Sequence, residues 1–148
     1  MITGIEFLTL AEEWVQEGTE AHWRSALSRA YYAAFHKARR LLVRLGFRVP
    51  RADRAHAYLW LRLSNCGDPT IQRAGSNLRI LRMDRNHADY DIDLGMKHAQ
   101  ERSQIDAARK IIECLDLAEA EPTRTQIIET IRTYESEVLK EVTWQPGP

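Results

Sequence analysis

The sequence has few of the residues that build metal centres, disulfide scaffolds or phosphate-binding loops. It contains two cysteines in 148 residues, Cys66 and Cys114, and no cluster of Cys and His at zinc-binding spacing. We interpret both cysteines as reduced, small core residues of a cytosolic protein. No glycine-rich loop ends in lysine, which argues against an ordinary nucleotide-hydrolase site. The sequence therefore predicts neither a metal nor a cofactor.

Long apolar runs and strand patterns are also missing. Glu12 and Glu13 interrupt the first apolar stretch and no basic segment precedes it, so we expect neither a signal peptide nor a membrane span. No stretch alternates apolar and polar residues over the length of a strand. Apolar residues instead recur at helical spacing, which predicts an all-α protein: an up-and-down antiparallel bundle of five to six helices.

Capping residues and helix breakers set the predicted helix boundaries. A first helix begins at a Thr3–Glu6 capping box, and the later helices span about 20–45, 53–63, 69–86, 91–120 and 123–141. Asp53 and Asp68 are the expected caps of the third and fourth helices. We expect one domain over residues 1–148, with a bundle core at 1–120, an additional helix at 123–141 and a tail at 142–148 whose last four residues, 145–148, are frayed.

The net charge is zero, but the charges are segregated along the chain. Residues 21–52 contain eight Lys or Arg and no acidic residue, whereas residues 111–142 contain eight acidic and three basic residues. Three interpretations remain open. The two stretches face each other, the basic stretch is an anion-binding surface, or it is simply a solvated face.

The segment 81–90 concentrates the polar chemistry of the chain in ten residues. Arg82 and His87 are five positions apart, which on a straight helix separates them by about 140° and about 7.5 Å. A helix stop near Asn86 would turn His87 back toward Arg82. An arginine that binds phosphate with its planar fork and a histidine that transfers protons would then share one pocket. The alternative is a charged surface helix end.

The acidic run after this segment does not fit a calcium loop. Counting from Asp89, the sixth position is Leu94 rather than Gly and the twelfth is Gln100 rather than Glu. We interpret these acids as caps of the next helix, with Asp89 also pairing with an arginine of the preceding one. Arg29, which lies among small and aromatic residues, needs an acidic or phosphate partner if it is buried.

Two motifs together resemble a prokaryotic HEPN domain. The first is SRAYYAAFHKA at residues 28–38, and the second is Arg82 followed by RNHADY at residues 85–90. The resemblance extends from about residue 5 to about residue 117. It implies a helical bundle that pairs as a homodimer and acts in nucleic-acid or nucleotide biology. Many members are metal-independent endoribonucleases with an Arg-x4-6-His motif, and many of these are toxins encoded beside a minimal nucleotidyltransferase antitoxin.

Carried over by position, the resemblance assigns catalysis to Arg82 and His87. Asn86 matches a polar position of the family, and the charge of Arg85 and of the second helix suggests contacts to an RNA backbone. The residues predicted for RNA or phosphate binding are Arg79, Arg85, Asn86, Lys37 and Arg40, and the supporting residues are Asp89, Tyr90 and Arg29. The match has two departures. Toxin members often have Tyr two residues after the histidine, where this chain has Asp89. The branch ending in Arg-x-x-Ala-Asp-Tyr often lacks the histidine.

Three functions are therefore open at this stage. The first is cleavage of single-stranded RNA by attack of a 2′-hydroxyl at a dimeric Arg-x4-His site. Because each chain offers one such histidine, two chains would supply the base and the acid. The second is a non-catalytic partner subunit that binds a nucleotidyltransferase or a nucleotide. The third is a structural helical adaptor in which the charged segment is a salt-bridged helix end.

Overall fold

A computed structural model of the chain describes residues 2–147 and shows an all-α protein. Within these residues the six α-helices are α1 (Ile5–Trp14), α2 (Glu20–Arg44), α3 (Arg54–Leu63), α4 (Pro69–Tyr90), α5 (His98–Asp116) and α6 (Thr123–Tyr134). A 3-10 turn at Leu117–Glu119 follows α5, and a π-helical turn at Glu135–Leu139 follows α6. The predicted fold class is confirmed.

One of the three predicted helix caps forms in full, and a second forms only in half, because the Thr3 hydroxyl does not accept a backbone N–H of α1. The Glu6 carboxylate accepts hydrogen bonds from the Thr3 backbone N–H at 3.0 Å and from its hydroxyl at 3.1 Å, just before α1. At the start of α4, Asp68 Oδ1 accepts the backbone N–H groups of Thr70 and Ile71, each at 3.0 Å. The third is wrong, because Asp53 precedes α3 without a capping hydrogen bond from its side chain.

Three predicted helix ends are wrong. α4 continues to Tyr90 instead of stopping near Asn86, because Ala88 packs into the core at 1% exposure and the last carbonyls of the helix find a side-chain partner. α5 begins at His98 rather than at Asp91. The last helix, predicted to reach residue 141, ends at Tyr134. The π-helical turn at Glu135–Leu139 follows it.

The first part of the predicted tail at 142–148 packs against the end of α2 and the loop after it. The indole N–H of Trp144 donates to the Leu45 carbonyl at 2.9 Å, and Trp144 forms an isolated antiparallel bridge with Phe47. An indole is a large apolar group with one donor, so it binds firmly where a carbonyl and apolar surface meet. Pro148 lies outside the described residues.

The chain forms two compact units. Unit 1 comprises the chain up to Lys37 together with Asn77–Ile112, and unit 2 comprises Ala38–Ser76 together with the chain from Glu113 onward. Unit 1 therefore contains the charged segment 81–90, and unit 2 contains α3 and α6. The expectation of one domain over residues 1–148 stays a prediction.

In unit 1, α4 runs antiparallel to α2. Arg24, near the start of α2, donates to the Ala88 carbonyl at 2.8 Å, whereas Tyr32, two turns later, contacts Arg85. The predicted antiparallel arrangement is confirmed for this pair. The buried apolar residues of unit 1 include Leu8, Ala11, Leu27, Ala30, Tyr31, Leu78, Leu81, Ile105 and Ala108.

Unit 2 contains a fully buried ion pair. Arg62 Nε lies 2.7 Å from Glu135 Oε2, and these side chains are 2% and 0% exposed. The Thr143 backbone N–H donates to the other carboxylate oxygen of Glu135 at 3.0 Å, so both oxygens are bound. The buried apolar residues of unit 2 include Leu41, Leu42, Leu45, Leu59, Leu63, Ile71, Leu115, Ile127 and Ile131.

We expect Glu135→Ala to destabilise the protein by about 3 to 5 kcal/mol, because it leaves the buried Arg62 guanidinium without its counter-ion. The free energy of unfolding from urea titration measures the effect. Glu137→Ala is the matched control, since Glu137 lies in the same turn and is exposed. Equal effects of the two substitutions would contradict a structural role for the buried pair.

Candidate functional site

The C-terminal part of α4 has one buried face and one exposed apolar face. Leu78, Leu81 and Ala88 lie in the core. Residues at positions 80, 83, 87 and 90 fall on another face by their helical spacing. We call this face the α4 stripe, and its members are Ile80 at 54% exposure, Met83 at 54%, Tyr90 at 70% and the His87 side chain at 61%. The stripe therefore offers apolar surface with an imidazole in its middle.

The structure does not bring Arg82 and His87 together within one protomer. Both lie on the same continuous helix, where five residues turn the second side chain by about 140° from the first. The helix stop that was to unite them does not form. The two proposed catalytic side chains therefore lie on different faces of α4.

Arg82 has no polar partner in the described part of the chain. Its side chain is half-buried, and its Nε is shielded from solvent without a hydrogen bond within residues 2–147. Burial raises the pKa of Tyr31 on α2, and the nearby positive charge of Arg82 partly offsets that rise. An unpaired, partly desolvated guanidinium is a suitable group for binding an anion.

The orientation of His87 is fixed by Asp91, one helical turn further on. His87 Nδ1 contacts Asp91 Oδ2. Because a carboxylate only accepts hydrogen bonds, Nδ1 carries the proton, and in the neutral ring Nε2 is the nitrogen with a free lone pair. The sequence suggested Asp91 as a helix cap, but its i, i+4 spacing from His87 was the signal for this pair.

Arg85, in contrast, is neutralised by its neighbours. Its Nε lies 2.8 Å from Asp89 Oδ2, and the Ser28 hydroxyl on α2 donates to the same oxygen at 3.3 Å. The guanidinium lies 5.2 Å from the ring centre of Tyr32 and 5.7 Å from that of Tyr90. The predicted pairing of Asp89 with an arginine of α4 is present in this geometry. The two sequence motifs therefore bind each other across α2 and α4.

Asn86 completes this cluster rather than lining an open cleft. Its side-chain oxygen accepts a hydrogen bond from Arg85 Nη1 at 3.1 Å. This contact is local, because the two residues are adjacent. It leaves Asn86 half-buried and bound to the neutralised arginine.

Arg24 holds the end of α4 and was missed as a site residue. Its guanidinium donates to the carbonyls of His87 at 3.2 Å, Ala88 at 2.8 Å and Asp91 at 3.4 Å, and also contacts the Leu94 carbonyl. The last carbonyls of a helix lack partners within it and carry partial negative charge, so a cation is favourable there. Sequence alone gave no signal, since nothing local links residues 24 and 88.

The remaining predicted binding residues are dispersed. The Arg29 guanidinium lies 5.3 Å from the ring centre of Phe7 and 5.2 Å from that of Tyr32, so aromatic rings take the place of the acidic or phosphate partner expected for it. Lys37 and Arg79 belong to unit 1 and both have polar or ring contacts. Arg40 belongs to unit 2.

The described residues contain neither a metal-ligand cluster nor a helix suited to a membrane. Within residues 2–147 no three His, Cys, Asp or Glu side chains are grouped as metal ligands would be. None of the helices in this part of the chain combines the length and apolar content that crossing a bilayer requires.

The fold and the site define a class of helical protein. Its two charged motifs lie on antiparallel helices and bind each other, and His87 of the second motif stays exposed. The sequence model of the HEPN domain matches residues 3–119. The chain belongs to the HEPN domain family. Searches of curated proteins and of solved structures gave no match. The resemblance is thus confirmed for the family, and prokaryotic origin and nucleotidyltransferase pairing stay predictions.

A buried acid lies beside the Arg24 contact. Glu101 in the first turn of α5 is 0% exposed, and neither of its carboxylate oxygens has a hydrogen-bond partner within residues 2–147. Burial raises the pKa of Glu101 to about 7, an effect that Arg24 opposes and Glu20 reinforces. The folded protein therefore holds a proton between about pH 4.5 and pH 7 that the unfolded chain releases.

We expect the contribution of Glu101 to stability to be present below about pH 4.5 and to be lost as the pH rises toward 7. Glu101→Gln, which keeps the shape without the charge, should match the parent near pH 5 and exceed its stability near pH 8. Urea unfolding across this range measures the difference. Glu113→Gln, an exposed position on α5, is the control. A constant difference between parent and Glu101→Gln at every pH would contradict this assignment.

Proposed function

We propose that this HEPN protein is a metal-independent endoribonuclease whose site is completed by a second copy of the chain. The observation that supports it best is the setting of His87. The imidazole is exposed, its Nδ1 is held by Asp91, and it lies among apolar residues of the α4 stripe. Exposed apolar surface rimmed by polar groups is typical of protein interfaces. A partner at this surface would place two imidazoles in one cleft.

The chemistry requires two proton-transfer groups. A ribose 2′-hydroxyl gives its proton to Nε2 of one His87, and its oxygen attacks the adjacent phosphorus in line. The bond to the 5′-oxygen breaks, and that oxygen takes a proton from the protonated His87 of the second copy. The products are a 2′,3′-cyclic phosphate and a 5′-hydroxyl. Because each chain contributes one His87 to the proposed site, two chains must meet to supply both groups.

Arg82 is assigned the stabilisation of charge on the pentacoordinate phosphorus. Its unpaired guanidinium supports this role, because an anion would supply the partner that the protomer lacks. Arg85 is already neutralised by Asp89, so we assign it to holding α4 against α2. Weak contacts to the RNA backbone are proposed for a set of polar residues: Arg79, Asn86, Lys37 and Arg40.

We expect the protein to cleave single-stranded RNA in the presence of a chelator, and His87→Ala to lower kcat by about 10²- to 10⁴-fold through loss of proton transfer. Arg82→Ala should lower it by about 10²- to 10³-fold. Gel-based single-turnover kinetics, with detection of the cyclic phosphate, measures both effects.

His22→Ala is the protein control, since His22 is an exposed histidine elsewhere in unit 1. The substrate control is an oligonucleotide of the same sequence with 2′-deoxyribose, which lacks the attacking group. Cleavage of that oligonucleotide, or full activity of His87→Ala and Arg82→Ala, would rule out the proposed site.

The second copy can be tested separately from activity. We expect the parent to be a dimer and Met83→Glu to be a monomer, because a carboxylate in the middle of the α4 stripe would be desolvated without a partner charge. Light scattering coupled to size exclusion measures the mass. Ile5→Glu, which adds a carboxylate at an exposed apolar position of α1, should remain dimeric. A dimeric Met83→Glu protein would place the interface elsewhere.

The separation of Arg82 from His87 and the neutralisation of Arg85 favour one rival function. In it the protein is a non-catalytic subunit whose two motifs only hold α2 and α4 together. The resemblance suggests a nucleotidyltransferase as the partner. If the chain is a toxin, that nucleotidyltransferase is its antitoxin. This rival predicts no chelator-resistant cleavage and a stable complex when the chain is co-expressed with such a protein encoded beside it. Co-purification that survives high salt, without nuclease activity, would support it.

A further inference from the structure

Unit 2 contains a pocket whose lining is rich in arginine. Its volume is about 240 Å³, and its polar wall carries the side chains of Arg48, Arg54, Arg62 and Glu141. The other lining residues are apolar or aromatic: Pro50, Tyr58, Leu61 and Leu139. Pockets for drug-sized ligands measure about 300 to 1,000 Å³, so this one suits a smaller group.

Arg62, one of the lining residues, has an unused donor. Its guanidinium lies 3.5 Å from the ring centre of Tyr58, its Nε binds Glu135, and its Nη1 donates to the Tyr58 carbonyl at 3.4 Å. Its Nη2 is shielded from solvent and has no hydrogen bond within residues 2–147. The nearest carboxylate, that of exposed Glu141, stays 3.9 Å away. A buried guanidinium N–H without an acceptor is costly, so an acceptor entering here would be stabilising.

Arg48 and Arg54 add positive charge at the rim. Both are exposed, and neither forms an ion pair in the described part of the chain. The backbone N–H of Arg48 donates to the Thr143 carbonyl at 3.1 Å, which fixes its position. Arg54 is the first residue of α3, whose first turn has no acidic residue, so the positive end of the helix dipole reinforces the same charge.

We infer that this pocket binds a phosphate monoester. Glu135 already balances Arg62, which leaves Arg48 and Arg54 against Glu141, a net charge of +2 − 1 = +1 at the pocket. A phosphate monoester carries about −1.5 to −2 charges near pH 7 and supplies acceptors for all three guanidinium groups. It displaces the distant Glu141 carboxylate, and the apolar wall contacts the organic group that carries the phosphate.

The test is isothermal titration calorimetry of the full chain with AMP, adenosine and inorganic phosphate. AMP and phosphate should bind and adenosine should not. Arg48→Gln and Arg54→Gln should each raise the Kd for AMP about tenfold, because each removes a charge-assisted hydrogen bond. Glu141→Gln should lower the Kd, since it removes the competing carboxylate. Arg51→Gln is the matched control, an exposed arginine of the same loop that does not line the pocket.

A second arm compares an RNA oligomer carrying a 5′-phosphate with one carrying a 5′-hydroxyl. If the phosphorylated oligomer binds more tightly than AMP, the natural ligand is the 5′-phosphate of an RNA. If AMP binds more tightly, the natural ligand is a mononucleotide. The inference fails if adenosine binds as well as AMP, or if Arg51→Gln weakens binding as much as Arg54→Gln. His87→Ala should bind AMP like the parent, so this outcome is independent of the proposed nuclease site.

Discussion

The contact of one arginine with the end of a helix organises the candidate site. Arg24 reaches from α2 to the carbonyls of the last turn of α4, where the helix cannot bond to itself. Guanidinium suits this position because it offers several donors and keeps its charge at any physiological pH. The bond keeps α4 helical past Asn86, and it thereby sets where His87 and Asp91 lie.

This arrangement separates the roles of two arginines that look alike in the sequence. Arg85 is bound by Asp89 and flanked by two tyrosine rings, so its charge is used inside the protein. Arg82 carries the same group three positions earlier, yet it has no polar partner in the described chain. Some residues of a family motif can therefore hold helices together while other residues of the same motif stay available for chemistry. Of these two arginines, only Arg82 is a candidate for stabilising the charge of a phosphate.

Unit 2 shows a different use of charge. Arg62 and Glu135 are both removed from water, and backbone and hydroxyl groups saturate the carboxylate. Such a pair is specific rather than strongly stabilising, because desolvation offsets much of the attraction. It also fixes the course of the segment after α6, and with it Thr143, Trp144 and the rim residue Glu141. Thr143 and Trp144, which the sequence places in the tail, are held in position by these contacts.

The sequence by itself determined the all-α class and the starts of α2 and α4, because capping and helical periodicity are local properties. It also indicated the family through two motifs. Only the tertiary structure decided where α4 ends, which arginine is neutralised and that His87 lies on an exposed apolar face. Those outcomes depend on contacts such as Arg24 with Ala88 and Ser28 with Asp89, which join residues more than sixty positions apart. No local pattern specifies which distant partner a side chain meets.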